Sequence, residues 1–348
     1  MMRAAVLEEI GSLKLKQVPI PEPGPGEVLV RIEANTICGT DLRIISGAKT
    51  AGVRPGVILG HEFAGRVAAV GRGVDGVPVG AQVTCSIVVS CQRCRACLSG
   101  REQLCENLVL FGYELDGGLA EYLLVPKVAM DHGNLVVLEK EIPATTLALA
   151  EPVSCCLNGA GQVAVAPGES VVVLGTGPIG LLHIALAKLA GATTILAAGR
   201  EGRLAAATDF GATCAVALTG EALTAEVRER TNGRGADVVI VAVGDLSLAN
   251  QALELAAIGG RVNYFAGFPK GRTASIDPNL IHYRELAVTG GSNARRADVR
   301  RAVELLSSGA LDVGRLVTHR FPLAELDAAV TAVARRDGLK VAVMPAAG

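Results

Sequence analysis

The 348-residue chain has no charge excess of either sign. Its 33 lysine and arginine residues balance 34 aspartate and glutamate residues, which gives a formal net charge of -1. The charges are also scattered along the chain rather than grouped in blocks. Both features disfavour a nucleic-acid channel and an anionic membrane surface, because each of these partners needs a concentrated basic patch. A small molecule is the expected partner.

A long uninterrupted hydrophobic run is also missing. The most hydrophobic stretch, residues 171–198, is broken by glycine and proline and carries His183 and Lys188, so it predicts buried strand, turn and helix rather than a membrane span. The N-terminal stretch has two glutamates within its first nine residues and lacks the apolar core of a secretory signal. We therefore expect a cytoplasmic protein.

Hydrophobic residues and glycine dominate the composition. Half of the residues are hydrophobic, and 42 glycines accompany 15 prolines, which is typical of an α/β protein with many tight turns. The length predicts two domains, at roughly 150 residues per domain.

The first part of the chain predicts a β-rich domain. Residues 27–35 alternate apolar and polar side chains, and further strand-like pieces follow at 65–70, 82–85 and 120–125. We expect this catalytic domain to span residues 1–150.

After residue 167 the pattern changes to a strand, a glycine turn, a helix and a second strand, which is the βαβ unit of a parallel sheet. The alternation continues and predicts a Rossmann domain at residues 151–290, a doubly wound parallel sheet of six strands. The predicted strands lie at residues 171–174, 193–197, 214–217, 237–243, 260–266 and 286–289. The last segment, residues 291–348, is expected to return to the first domain.

A glycine-rich turn lies between the first strand and helix of that unit. It reads Gly175, Thr176, Gly177, Pro178, Ile179 and Gly180. The first glycine permits a tight turn, the second lets the backbone approach a pyrophosphate, and the third lets the helix pack on the strand. The free amides of the helix N-terminus then face the anion. The turn predicts a dinucleotide site.

The second strand ends without the carboxylate that would bind an adenosine ribose hydroxyl. The chain has Gly199 and Arg200 there, with Arg203 one turn further on. Small residues leave room for a 2′-phosphate, and an arginine can pair with it through its planar guanidinium. NADP is therefore the expected cofactor, with NAD or dual use as the alternative.

Four of the nine cysteines form a C-x2-C-x2-C-x7-C run, namely Cys91, Cys94, Cys97 and Cys105. In a reducing compartment this spacing favours metal ligation over disulfides. Zinc is preferred to an iron–sulfur cluster, whose motifs often have a shorter final gap followed by proline. Four thiolates leave zinc no open position, so this site is expected to be structural.

A second set of ligand types lies on either side of that run and consists of Cys38, His61, Glu62 and Glu151. Zinc held by three protein groups keeps a position for substrate. The isolated histidines of the chain, in contrast, have no ligand-like neighbours and are expected to be structural: His132, His183, His282 and His319.

With these motifs in view, the chain resembles the zinc-dependent medium-chain dehydrogenases of the alcohol dehydrogenase superfamily, over essentially its full length. The resemblance lies in residues 37–41, residues 60–62, the four-cysteine run and Glu151-Pro152 before the glycine turn. It is closest to the polyol and threonine dehydrogenase branch. It implies a GroES-like catalytic domain joined to a Rossmann domain, and two zinc ions per chain.

The resemblance also implies roles for individual residues. Cys38 and His61 would be ligands of the catalytic zinc, and either Glu62 or Glu151 would be the third ligand. Thr40 resembles the hydroxyl that passes the alcohol proton outward. The sequence leaves the choice between the two glutamates open.

The implied reaction is hydride transfer between a nicotinamide cofactor and a secondary hydroxyl or ketone. We expect a polyol, cyclitol, amino alcohol or sugar derivative as substrate. A simple secondary alcohol or ketone is the first alternative, and a non-catalytic sensor or scaffold that binds zinc and nucleotide is the second. Candidate pocket residues are Ile44, Lys49, Phe111, Tyr113, Glu114, Asn293 and Arg295. By analogy, a homo-oligomer is expected to form, as a dimer or tetramer, through the sheet edge at residues 261–266 and 286–289.

Overall fold

The computed structural model describes residues 1–345. Two compact units are formed, one by Met1–Ser154 with Asn293–Gly348 and the other by Cys155–Ser292.

The strands within the described part of the chain are numbered in sequence order. They are β1 Met2–Glu9, β2 Ser12–Val18, β3 Val28–Thr36, β4 Val57–Ile58, β5 Glu62–Val70, β6 Gln82–Cys85, β7 Val88–Val89, β8 Val109–Leu110, β9 Tyr122–Val125, β10 Leu135–Val137, β11 Ser170–Leu174, β12 Thr194–Ala198, β13 Cys214–Val216, β14 Ala236–Val241, β15 Ala256–Tyr264, β16 Ala287–Gly290, β17 Val317–Pro322 and β18 Lys340–Met344.

The α-helices are numbered in the same way. They are α1 Gly39–Ile45, α2 Arg95–Leu98, α3 Lys127–Asp131, α4 Ala144–Leu147, α5 Ala150–Val163, α6 Pro178–Leu189, α7 Leu204–Asp209, α8 Gly220–Arg230, α9 Leu248–Leu255, α10 Pro278–Arg284, α11 Arg296–Ser307 and α12 Leu326–Arg335. None of these helices is long and apolar enough to span a membrane.

The first unit is built on a sheet in which β3 is the central strand. β3 pairs antiparallel with β5, β9 and β18, and the path runs β10-β6-β5-β3-β18-β17. β1 forms a smaller sheet with β2 and β4. β17 and β18 come from the end of the chain, so the C-terminal segment completes this sheet. Alternating side chains of β3 enter a buried cluster with those of β5 and β9, including Ile32, Phe63 and Leu123.

The second unit is a six-stranded parallel sheet in the order β13-β12-β11-β14-β15-β16. Relative to its own first strand, this is the 3-2-1-4-5-6 order of a doubly wound dinucleotide-binding fold. All five residues of β11 are buried, as expected of a strand covered on both faces. The predicted fold class is confirmed, with strand boundaries shifted by a few residues. The fifth strand shows the largest shift, since it begins at Ala256 directly after α9.

Candidate metal and cofactor sites

The first site lies where two neighbouring strands of the first unit end and begin. Cys38 follows β3 and forms the N-cap of α1, and His61 immediately precedes β5. The register pairs Thr36 with Glu62, so this pairing carries both chain segments to the same place. The ligand atoms of Cys38, His61 and Glu62 lie within 4.8 Å of one another. The chain therefore brings together three of the four predicted ligands.

Asp41 orients the imidazole in this cluster. One of its carboxylate oxygens lies 3.2 Å from His61 Nδ1, and the other accepts the Cys38 backbone N–H at 2.8 Å. Burial works against a charged His61, but the Asp41 carboxylate outweighs it and raises the pKa of His61 well above its usual value. With Nδ1 facing a carboxylate, Nε2 is the nitrogen left for a metal.

Both carboxylate oxygens of Glu62 accept hydrogen bonds. Lys340 Nζ donates to Oε1 at 2.7 Å, and the Thr36 hydroxyl donates to Oε2. Glu62 is 1% exposed and Lys340 7% exposed, so the ion pair is shielded from water. Burial alone would lower the pKa of Lys340, but the Glu62 and Cys38 charges outweigh it and raise that pKa. Lys340 thus supplies a permanent cation beside the metal ligands.

Glu151 lies apart from the three-residue cluster, in the first turn of α5. It is half-buried, and its charge contributes to raising the pKa values of Tyr113 and Lys340, which places it near both groups. Thr40 is also half-buried, and its hydroxyl oxygen accepts a hydrogen bond from Arg43 at 2.9 Å.

Two of the candidate pocket residues lie beside the metal cluster. The Tyr113 ring is 5.4 Å from the His61 ring, and the Lys49 ammonium is 5.3 Å from the centre of the Tyr113 ring. Ile44 and Phe111 are instead fully buried in hydrophobic clusters.

Two further pocket candidates are engaged in local structure. Glu114 accepts the backbone N–H of Leu110 at 3.0 Å, and Arg295 pairs with Asp298 at the start of α11. Asn293 has a left-handed backbone with φ of 53°.

The second site is the four-cysteine lobe. The sulfur atoms of Cys91, Cys94, Cys97 and Cys105 lie within 4.8 Å of one another. Cys94 Sγ is 3.5 Å from Cys97 Sγ and 3.9 Å from Cys105 Sγ. A tetrahedral zinc with bonds of about 2.3 Å needs sulfur separations of about 3.8 Å, and these two distances are close to that value. The nine cysteines form no disulfide.

Backbone amides lower the pKa values of two cysteines in this lobe, which favours binding of a cation. Hydrogen bonds from the backbone of Arg93 and Cys94 lower the pKa of Cys91 to about 6. Backbone N–H groups also lower the pKa of Cys94, whereas burial raises the pKa of Cys105 to about 12. Zinc binds the thiolate form, so the amides favour the charge state that a metal requires.

The third site is the glycine turn of the second unit. Gly175 has φ of +109°, and Gly177 is the N-cap of α6, with Pro178 at the first helical position. A Cβ atom at Gly180 would lie 1.8 Å from the Gly175 carbonyl oxygen, so only glycine fits where the helix meets the strand. The turn leaves the N-terminus of a twelve-residue helix open to an anion.

The predicted phosphate-binding arginines lie at the end of β12. Arg200 is exposed and caps the short helix Glu201–Arg203. A guanidinium nitrogen of Arg203 lies 3.7 Å from the position of a Cβ on Gly177, so it reaches the glycine turn. Gly199 fits tightly, because a Cβ there would lie 2.0 Å from the Thr176 hydroxyl oxygen.

Sequence reasoning missed the partners of the metal ligands. Asp41 is part of the C-G-T-D motif, but the sequence pattern assigned a role neither to it nor to Thr36. Lys340 had one detectable signal, a lone cation at the start of the hydrophobic run KVAVM. Nothing in the sequence could place it beside Glu62, because that contact joins residues 278 positions apart.

Comparison with known proteins matches two family models. Residues 24–132 match the alcohol dehydrogenase GroES-like domain, and residues 178–308 match the zinc-binding dehydrogenase model. The L-threonine 3-dehydrogenase of Pyrococcus furiosus is 37% identical over 314 residues, covering 88% of each chain. The L-galactonate-5-dehydrogenase of Escherichia coli is 33% identical and covers 93% of each chain.

A solved structure is similar over the whole molecule. The zinc-binding dehydrogenase from Sinorhizobium meliloti, crystallised with NADP, has a TM-score of 0.92 and 36% sequence identity, with 99% of each chain covered. Both family models, the two relatives and this structure point to the same family. The chain therefore belongs to the zinc-dependent medium-chain alcohol dehydrogenase family and is an oxidoreductase.

Proposed function

We propose that this enzyme transfers a hydride between NADP and a secondary hydroxyl or ketone of a small polar compound. The substrate class is a polyol, cyclitol, amino alcohol or sugar derivative. The observation that carries the proposal is the cluster of Cys38, His61 and Glu62 with its supporting Asp41 carboxylate. The relatives that act on threonine and galactonate support an oxygenated substrate rather than a simple alcohol.

The catalytic zinc would be held by Cys38 and His61 together with a carboxylate. Both oxygens of Glu62 are engaged by Lys340 and Thr36, which favours Glu151 as the third ligand, either directly or through water. When bound, zinc supplies the Lewis acidity that lowers the pKa of a substrate hydroxyl. The four-cysteine lobe would hold the second, structural zinc.

The hydroxyl of Thr40 would relay the proton. Its oxygen accepts from Arg43, so its own hydrogen is available to donate elsewhere while a second lone pair accepts the proton of the substrate hydroxyl. Thr40 is half-buried, which allows the proton to pass onward to water.

NADP is the cofactor that the end of β12 supports best. The strand ends in Ala198 and is followed by Gly199 and Arg200, without the carboxylate that selects NAD. Arg200 and Arg203 would pair with the 2′-phosphate, and residues 175–180 would face the pyrophosphate.

Assembly and location are further parts of the proposal. β16 ends the parallel sheet and is largely exposed, with Val288 38% exposed, so its edge is suited to pairing in a homo-oligomer. A cytoplasmic location agrees with nine cysteines that form no disulfide.

The test is steady-state kinetics of the zinc-loaded enzyme with NADP+ and NAD+ against polyols, cyclitols, amino alcohols and simple secondary alcohols. We expect a higher kcat/KM with NADP+ and turnover of a polyhydroxylated compound or amino alcohol. The Arg200→Ala variant should lose about 10-fold to 100-fold in kcat/KM for NADP+ but little for NAD+, since a charged hydrogen bond contributes about 1.5–3 kcal/mol. A preference for NAD+, or activity on simple alcohols alone, would contradict the proposal.

A catalytic-zinc variant provides the matching control. Cys38→Ser should abolish turnover while the protein remains folded and retains the zinc of the four-cysteine lobe, measured as zinc content per chain. Retained activity would contradict the role of Cys38.

A further inference from the structure

The side chain of Lys49 lies next to Tyr113, whose ring neighbours the His61 imidazole. The residue follows α1, the helix that begins at the ligand Cys38, and its backbone N–H donates to the Arg43 carbonyl at 2.9 Å. Its ammonium lies over the face of the Tyr113 ring. The metal ligand Cys38 therefore lies at the start of α1, and the Lys49 cation lies just beyond the end of this helix.

Tyr113 connects this cation to the metal cluster. The ring is 6% exposed and lies next to both the His61 ring and the Lys49 ammonium. Together, the two contacts keep the ammonium within about 11 Å of the imidazole. A buried aromatic ring is a rigid spacer, so Lys49 has a defined position relative to the site.

The Lys49 ammonium has no carboxylate partner in the part of the chain that the structure describes. No Asp or Glu oxygen among residues 1–345 lies within 4.0 Å of it. The two acidic residues that follow Tyr113 have partners of their own: Glu114 accepts the Leu110 N–H, and Asp116 pairs with Arg54 at 2.7 Å. A half-buried cation whose three N–H donors lack an anion is a suitable partner for a ligand carboxylate.

We propose that Lys49 binds a carboxylate of the substrate, so that the preferred substrate is an acid that carries the secondary hydroxyl. This inference rests on the proposed function and narrows its substrate class to hydroxy acids, including amino acids and sugar acids. The two contacts limit the distance from the Lys49 ammonium to the His61 ring to about 11 Å, so a short hydroxy acid can extend from the ammonium to the metal cluster.

The test compares an acid with its neutral isostere. The cofactor- and zinc-loaded enzyme is assayed with 3-hydroxybutanoate and 3-hydroxybutanamide, and the ratio of their kcat/KM values is measured for each variant. We expect the wild type to favour the acid, and the Lys49→Met variant to lose about 10-fold to 100-fold of that ratio, because a charge-assisted hydrogen bond is removed. Lys49→Arg should restore most of it.

The control is Lys14→Met, the same chemical change at an exposed lysine of β2. The acid-to-amide ratio should be that of the wild type. An unchanged ratio in Lys49→Met, or an equal loss in Lys14→Met, would overturn the inference.

A binding measurement separates failure of this inference from failure of the proposed function. 3-Hydroxy-3-methylbutanoate keeps the carboxylate and hydroxyl but has no hydride to transfer, and its affinity can be measured by calorimetry beside that of its amide. Tighter binding of the acid by the wild type than by Lys49→Met supports the carboxylate site even if no alcohol is oxidised. Equal binding overturns it even if the enzyme is active.

Discussion

Replacing Lys340 with methionine should strongly destabilise the first unit. The substitution keeps most of the side-chain volume but removes the cation that lies 2.7 Å from Glu62 Oε1. Glu62 remains buried, and within residues 1–345 the Thr36 hydroxyl is its one remaining side-chain hydrogen-bond partner. Breaking a buried ion pair by removing one partner costs about 3–5 kcal/mol, because an uncompensated charge stays away from water.

Thermal unfolding measures this cost. A unit of this size loses about 2–4 °C in Tm per kcal/mol, so we expect Lys340→Met to lower the Tm of the zinc-free protein by about 10 °C. The loss should be smaller in the zinc-loaded protein, because the released Glu62 carboxylate can then approach the metal. For the same reason, a chelator should remove zinc more slowly from the variant than from the wild type.

Two variants serve as controls. Lys340→Arg keeps the charge and should retain much of the stability, although the guanidinium is bulkier. Lys16→Met breaks an exposed ion pair with Glu8 and should change stability by no more than about 1 kcal/mol. A Lys340→Met protein with the Tm of the wild type, with and without zinc, would refute the assignment of a buried ion pair at Glu62.

Three other predictions concern Cys97, Asp41 and His183. Cys97→Ser should lower the zinc content from two ions toward one per chain. It should also lower the Tm, because binding of a structural zinc is coupled to folding. An unchanged zinc content would contradict the closed site. Asp41→Asn should weaken zinc binding at His61 about 10-fold to 100-fold in a chelator competition, since the carboxylate orients the imidazole; equal affinity would exclude that role. Burial lowers the pKa of His183 to about 3, so below pH 6.5 the unfolded chain takes up a proton that the folded protein does not. Stability should therefore fall with pH from 6.5 downward, by about 2 kcal/mol at pH 5, and His183→Leu should remove this dependence in denaturant titrations.

The parallel sheet was predictable because its signals are local. β11 is a short apolar run, the glycine turn follows at once, and α6 begins with proline at its first position. Each of these features depends on neighbours within a few residues, so periodicity and turn chemistry predict them. The short strands of the first unit, such as β4 and β7, have two residues each and leave no periodic trace.

The four-cysteine lobe was predictable for the same reason, since its ligands lie within 15 residues of sequence. The catalytic cluster was only partly predictable. Cys38, His61 and Glu62 were identified by their motifs, but the sequence could not decide between the two glutamates. That choice depends on what surrounds each carboxylate, and the surroundings come from distant segments.

By itself, the sequence determined the ligand types, their local spacing, the glycine turn and the alternation of strand and helix. Tertiary structure alone decided how those groups are held. Pairing of β18 with β3 carries Lys340 to Glu62, and the start of α1 carries Asp41 to His61. Tyr113 is placed next to both His61 and Lys49 in the same way. The physical reason is that charge compensation and packing act through space at distances of a few ångströms, whereas sequence patterns report only neighbours along the chain.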